Sequence, residues 1–169
     1  YNGNIAGVKW RSKGDKVQRS YGFGYDKANR LLSADFAQGA AYADDNVVNY
    51  DMNMGTFVSN IYSEGTAYDE NGNIMAMQQY GLKINTSPII DKLTYTYNIN
   101  SNKLKNVIEA TGINDPLTKL GDFRISQTYL TALGNPTVKL ATTKDYDYDL
   151  NGNLKQDLNK DIDVSAGSI

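Results

Sequence analysis

The residues best suited to chemistry lie near the end of the sequence. Asp149-x-Asn151-x-Asn153 spaces oxygen ligands as a calcium loop begins, and Asp157-x-Asn159-x-Asp161-x-Asp163 adds more carboxylates. A calcium loop of the helix-loop-helix type wants Gly at its sixth position and Glu at its twelfth. Counted from Asp149, those positions hold Leu154 and Lys160; counted from Asp157, they hold Ile162 and Ser168. The glycine falls fourth, at Gly152, where a hairpin turn wants it. The spacing therefore favours a turn over a metal loop, and no metal or cofactor is expected.

Other chemistries fare no better. With no His and no Cys, the chain lacks the commonest general base, the commonest transition-metal ligand and any thiol nucleophile. Asp147, Asp149 and Glu64 read as solvent-facing strand residues rather than an acid–base pair, so the chain is not expected to be an enzyme. Gly22 and Gly24 in YGFGYD lack the third glycine of a phosphate loop and read as strand glycines. Lys9, Arg11, Lys13, Lys16 and Arg19 suit a solvated hairpin turning at Lys13-Gly14-Asp15. The net charge of −2 argues against nucleic acid as a partner. The short apolar runs argue against a membrane span. Stripes of Tyr offer a surface for stacking sugars, but Tyr facing Leu across a hairpin is also ordinary sheet packing.

These side chains must be carried by strands. Tyr outnumbers Phe and Trp, 13 against 4 and 1, and Gly reaches 15, a balance that favours strands and tight turns. The 169 residues suffice for one domain with a real core, spanning 1–169. One word occurs twice: YDENGNI (Tyr68, Asp69, Asn71, Gly72, Ile74) and YDLNGNL (Tyr148, Asp149, Asn151, Gly152, Leu154). Asn-Gly between alternating runs predicts a hairpin with a type I′ turn, which needs positive φ at both central residues.

In the second copy, the incoming strand is predicted over Thr142 to Leu150, with Tyr146 and Tyr148 on one face and Asp145, Asp147 and Asp149 on the other. The outgoing strand is predicted over Asn153 to Leu158. In the first copy, Tyr62, Glu64, Thr66 and Tyr68 share a face before the turn, and Ile74, Ala76, Gln78 and Tyr80 share one after it. Looser copies follow the same pattern. Tyr21, Phe23 and Tyr25 lead to Asp26, a turn at Asn29, then Leu31. Leu93, Tyr95 and Tyr97 lead to Asn98, a turn near Asn102, then Leu104, Asn106 and Ile108. The opening YNGNI reads as the tail of a further copy.

The intervals between copies are uneven and predict extra strands and loops. Ala37 to Gly55 is predicted as a surface loop that then pairs through Thr56 to Tyr62. Asn114-Asp115-Pro116 predicts a turn, and Asn135-Pro136 a break. Ser126 to Leu133 has only a weak helical pattern and is left out of the predicted elements. An isolated hairpin is marginal in water, so each copy needs neighbours to cover its Tyr and Leu face.

YDKANRL closely resembles the YDxxGRL core of RHS or YD-repeat proteins, and YDENGNI and YDLNGNL resemble its bacterial variant. LTYTYNINSNKL is similar to a degenerate copy. The resemblance covers most of the chain, as about four and a half copies. It implies consecutive antiparallel strands in a long sheet, which in full-length members spirals into a hollow shell. Such shells are associated with enclosing and delivering toxic C-terminal domains between bacteria. Related members serve in insecticidal toxin complexes and in adhesion, and carbohydrate binding has been attached to the repeat. The resemblance thus implies a cell-surface or secreted location.

No position matches the family's aspartate self-cleavage site, so no catalytic residue carries over. The chain is expected to be a fragment of a longer repeat protein. The reading is an all-β antiparallel sheet of serial hairpins with a structural role. Its partners would be neighbouring repeats, with self-association through edge strands. A glycan-binding surface module is the alternative.

Overall fold

The computed structural model describes residues 3–39, 48–58, 61–82, 89–110 and 121–164. Among the described residues the chain is mostly β, and every strand pairing is antiparallel. The largest sheet has seven strands in the order β1-β2-β3-β4-β7-β8-β9. These are β1 (Gly7–Arg11), β2 (Gln18–Tyr25), β3 (Leu31–Gln38), β4 (Met52–Met54), β7 (Ala76–Tyr80), β8 (Ile89–Tyr97) and β9 (Leu104–Glu109). Between β4 and β7 the chain leaves the sheet as a ribbon of β5 (Thr56–Val58) and β6 (Ile61–Ser63). A second sheet holds β10 (Tyr146–Tyr148), β11 (Leu154–Asp157) and β12 (Ile162–Asp163). Among the described residues no helix is long and apolar enough to cross a membrane.

The two looser hairpins form as read. Tyr25 pairs with Leu31 across β2 and β3, and Tyr97 with Leu104 across β8 and β9. The basic residues near the start lie on the β1–β2 hairpin or in its Ser12–Val17 loop. There Asp15 binds Arg19 at 2.7 Å and accepts the Val17 N–H. Gly24 does sit inside a strand: a Cβ there would stand 2.7 Å from Ser33 Oγ. Asn135-Pro136 follows the end of a helix at Gly134 and Asn135, both left-handed (φ 82° and 52°).

Several expectations are corrected. The Asn-Gly turns are not type I′. Gly72 and Gly152 are left-handed (φ 85° and 89°), but Asn71 and Asn151 are not. Each loop is instead a type I turn closed by the glycine as a bulge, which needs only one positive φ. The strand predicted over Thr142–Leu150 is only Tyr146–Tyr148, since Thr142 lies in a turn and Asp145 is spent on buried contacts. The outgoing strand stops at Asp157, whose side chain caps a 3-10 turn at Leu158–Lys160. The strand before Tyr68 breaks into a 3-10 turn at Glu64–Thr66, leaving Tyr68–Ile74 as an isolated bridge. The side chains of Tyr62 and Glu64 lie outside the described ones, as do Tyr1 and the 114–116 turn.

Met52–Met54, inside the predicted loop, is a central strand between β3 and β7. Met54 is buried against Leu32 and Ala67. The weak helical pattern is a real helix, α1 (Gln127–Ala132). Ser126 caps it by accepting the Tyr129 N–H, and Tyr129 and Leu130 bury its inner face.

The core runs without a break from sheet to sheet. Leu32, Met54 and Ala67 begin it, and Met77 joins them to Leu93, Val107 and Tyr146. Phe123 then joins that group to Ile125, Tyr129 and Leu130 of the helix region. Leu93 and Val107 come from the large sheet and Tyr146 from the small one, so this cluster holds the two sheets together.

Candidate functional site

The repeated words build a ladder of turns, and their first two residues do different jobs. The aspartate closes each turn. Asp69 Oδ1 accepts the N–H groups of Asn71 (2.9 Å) and Asn73 (2.8 Å), while Oδ2 accepts Asn73 Nδ2 (2.7 Å). Asp149 repeats this with Asn151 (2.9 Å), Asn153 N–H (2.8 Å) and Asn153 Nδ2 (2.8 Å). Asp26 does the same with Ala28 (2.9 Å), Arg30 N–H (2.8 Å) and Arg30 Nε (2.6 Å). In that copy Asn29 takes the left-handed place of the glycine (φ 64°). The third copy has Asn98 for Asp and a loop one residue longer. There Ser101 Oγ takes over by accepting the Lys103 N–H at 3.1 Å.

Asp149 is thus occupied as a turn acceptor. Among the described residues no group of three carboxylates could hold a metal ion.

The tyrosine links each turn to the copy before it. Tyr25 donates its hydroxyl to the Ile5 carbonyl (2.9 Å), Tyr68 to the Leu31 carbonyl (2.6 Å) and Tyr97 to the Ile74 carbonyl (2.8 Å). Ile5, Leu31 and Ile74 are the aliphatic residues that end successive copies. The uneven intervals therefore do not matter, because the link joins equivalent positions whatever lies between.

The residue before each aliphatic adds a second link. Asn4 Nδ2 donates to Asn29 Oδ1 (3.1 Å), Arg30 Nη1 to the Asp69 carbonyl (3.2 Å) and Asn73 Nδ2 to Asn102 Oδ1 (2.9 Å). Arg30 also lies over the Tyr68 ring at 4.5 Å and Lys103 over the Tyr148 ring at 5.5 Å.

Two predictions arise from this ladder. Tyr68→Phe keeps the ring but leaves the Leu31 carbonyl without that donor, so urea unfolding should show a loss of about 0.5–1.5 kcal/mol. The three aspartates set an acid limit. Donors hold each carboxyl below its ordinary value of 3.8: chiefly the Asn73 side chain for Asp69, the Asn153 side chain for Asp149 and the Arg30 N–H for Asp26. The folded chain therefore binds fewer protons than the unfolded one near that value. Their contribution is complete above pH 3.8 and is lost as pH falls through the lower folded values. Asp69→Asn should flatten the acid limb of a stability–pH curve, and an unchanged limb would contradict the assignment.

Two polar clusters are not visible in the sequence. In the first, Lys139, Asp145 and Asn159 are all buried. Lys139 Nζ lies 2.5 Å from Asp145 Oδ2 and 2.7 Å from Asn159 Oδ1. Asp145 also accepts the Tyr129 hydroxyl (2.9 Å) and the Val107 N–H (3.0 Å). Burial pushes the Lys139 ammonium down from its usual range, against the pull of Asp145. In the second, Asp91 and Glu109 are buried close together beside Asp122. Burial, with those acidic neighbours, pushes the Asp91 carboxyl up to about 6, while the Phe123 N–H at 2.7 Å opposes it. No spacing signals either cluster, since the partners come from separate elements.

A row of aromatic rings marks the other end of the large sheet. Trp10 and Tyr21 lie 5.8 Å apart at 22°, and Tyr21 and Phe23 6.0 Å apart at 17°. Phe36 and Tyr50 meet edge to face at 5.3 Å. Tyr21, Phe23, Tyr50 and Met52 border a groove of about 310 Å³.

Fold and ladder together define an all-β protein of serial, mutually latched hairpins. Comparison with family models, curated proteins and solved structures returns no match.

Proposed function

We propose that the chain is a structural segment of a YD-repeat protein, one stretch of a β-shell that encloses or presents a C-terminal domain at the cell surface or outside the cell. The observation that carries this reading is the tyrosine latch. Each copy bonds to the equivalent residue of the copy before it, so the unit is suited to serial extension. The ladder's polar groups are consumed within it, which fits a scaffold better than a catalyst. The test is to translate and express the coding region flanking this segment. Further Tyr-Asp copies followed by an unrelated C-terminal domain that resists protease while attached would support the reading. A coding region without further copies would overturn it.

The same reading predicts association. β1 pairs only with β2 among the described residues, and all five of its residues are exposed. Such an edge templates pairing with another strand. Sedimentation should show dimers or larger species growing with concentration, and a monomer at every concentration would count against it.

A second reading is a glycan-binding module. It rests on the aromatic row, where Trp10, 39% exposed, stacks on Tyr21, which borders the groove. Tyr25, Tyr68 and Tyr97 do not serve it, since their hydroxyls are committed to backbone carbonyls. Retention on a glycan array that Trp10→Ala abolishes would favour this reading, and no retention would remove it.

A further inference from the structure

The buried cluster of Lys139, Asp145 and Asn159 takes no part in the ladder. Lys139 lies between α1 and β10, Asp145 just before β10, and Asn159 in the 3-10 turn after β11. The side chains of Lys139 and Asp145 are wholly inaccessible, and Asn159 is 1% exposed. Nζ stands 2.7 Å from the Asn159 carbonyl oxygen. The carbonyl carbon is one C=O bond, about 1.23 Å, from that oxygen. An amine so held is close to the near-attack range of about 3–3.5 Å.

The surroundings favour acyl transfer. Val107, Tyr129 and Tyr146 close the site and keep water from competing. The Asn159 amide nitrogen, the group that would leave, donates to the Tyr146 hydroxyl at 3.3 Å. Burial favours the neutral, nucleophilic amine over the ammonium. Asp145, 2.5 Å from Nζ, is within reach to take its proton.

We propose that Lys139 and Asn159 become joined by a self-catalysed isopeptide bond, with Asp145 as the proton carrier. The ammonium first gives a proton to Asp145. The freed amine adds to the side-chain carbonyl carbon of Asn159. Asp145 returns the proton to the amide nitrogen and takes the second proton from Nζ. The carbon–nitrogen bond to the old amide then breaks, and ammonia leaves. One C–N bond forms and one breaks, Asp145 ends as a neutral carboxyl, and no oxidant or co-reactant is needed. The bond ties the segment after α1 to the far end of the small sheet.

The test is the mass of the full chain under denaturing conditions, followed until it stops changing, with a protease digest. The expected result is a mass one ammonia below that of the sequence and a branched peptide joining Lys139 to Asn159. A succinimide at Asn71-Gly72 or Asn151-Gly152 also loses ammonia, so the branch decides. Lys139→Met should restore linear peptides. A wild-type chain with linear peptides only would overturn the proposal. A branch from Lys139 to Asp145, with loss of water, would overturn the assignment of Asn159. A branch that persists in Asp145→Ala would overturn the role of Asp145.

Discussion

Asp145→Ala is expected to destabilise the chain by about 3–5 kcal/mol, the usual cost of removing one partner from a buried ion pair. The pair itself need not stabilise the fold, because both charges give up hydration. The loss comes from what is left behind. Without its proton carrier the bond to Asn159 does not form, so Lys139 would remain a buried amine without its carboxylate, and the Tyr129 hydroxyl and Val107 N–H would lose their acceptor. Those donors come from the segment after α1, the helix and β9. The damage should therefore spread through the junction between helix and sheets. Asp145→Asn keeps an acceptor for Tyr129 and should cost less. Urea midpoints at neutral pH measure both, and a loss under about 1 kcal/mol for alanine would mean that the cluster relaxes or takes in water.

Leu93→Ala is the second large effect, at about 2–5 kcal/mol. Leu93 is 5% exposed and packs with Val107 and Tyr146 where the large and small sheets meet. Truncation removes apolar burial and leaves a void that β8 and β9, paired along their length, cannot close. Val107 touches both this cluster and Asp145, so the two substitutions share a neighbour. Their double mutant should depart from additivity, and the size of the departure measures how tightly the sheets are coupled. Strict additivity would mean that the small sheet is anchored elsewhere.

What was legible in the sequence was local. Tyr25, Tyr97 and their aliphatic partners sit at alternating positions around short loops, and period-two alternation marks strands directly. The turn residues were found, but their mechanism was misread. Asn71 and Asn151 were expected to supply backbone freedom. The decisive residues are Asp69 and Asp149, whose carboxyls gather the loop's own donors. The aspartate two residues before each of these asparagines carried that signal.

The helix was faint because six residues offer little periodicity, and its strength lies in the Ser126 cap and in burial of Tyr129 and Leu130. Strand β4 was hidden because three residues cannot show alternation, and its neighbours in the sheet are remote in sequence. The Lys139 cluster was illegible for the same reason. Its members come together only after helix and sheet have packed, and no spacing rule joins them.

The tyrosine latch always reaches toward the N-terminus. Tyr25, Tyr68 and Tyr97 each bind a backbone carbonyl that was synthesised earlier. A hairpin leaving the ribosome therefore finds its docking carbonyl already made and already folded. Assembly can proceed vectorially, one turn at a time, without waiting for downstream sequence. A chain built this way keeps only its growing end unfinished, and so exposes the least sticky surface during translation.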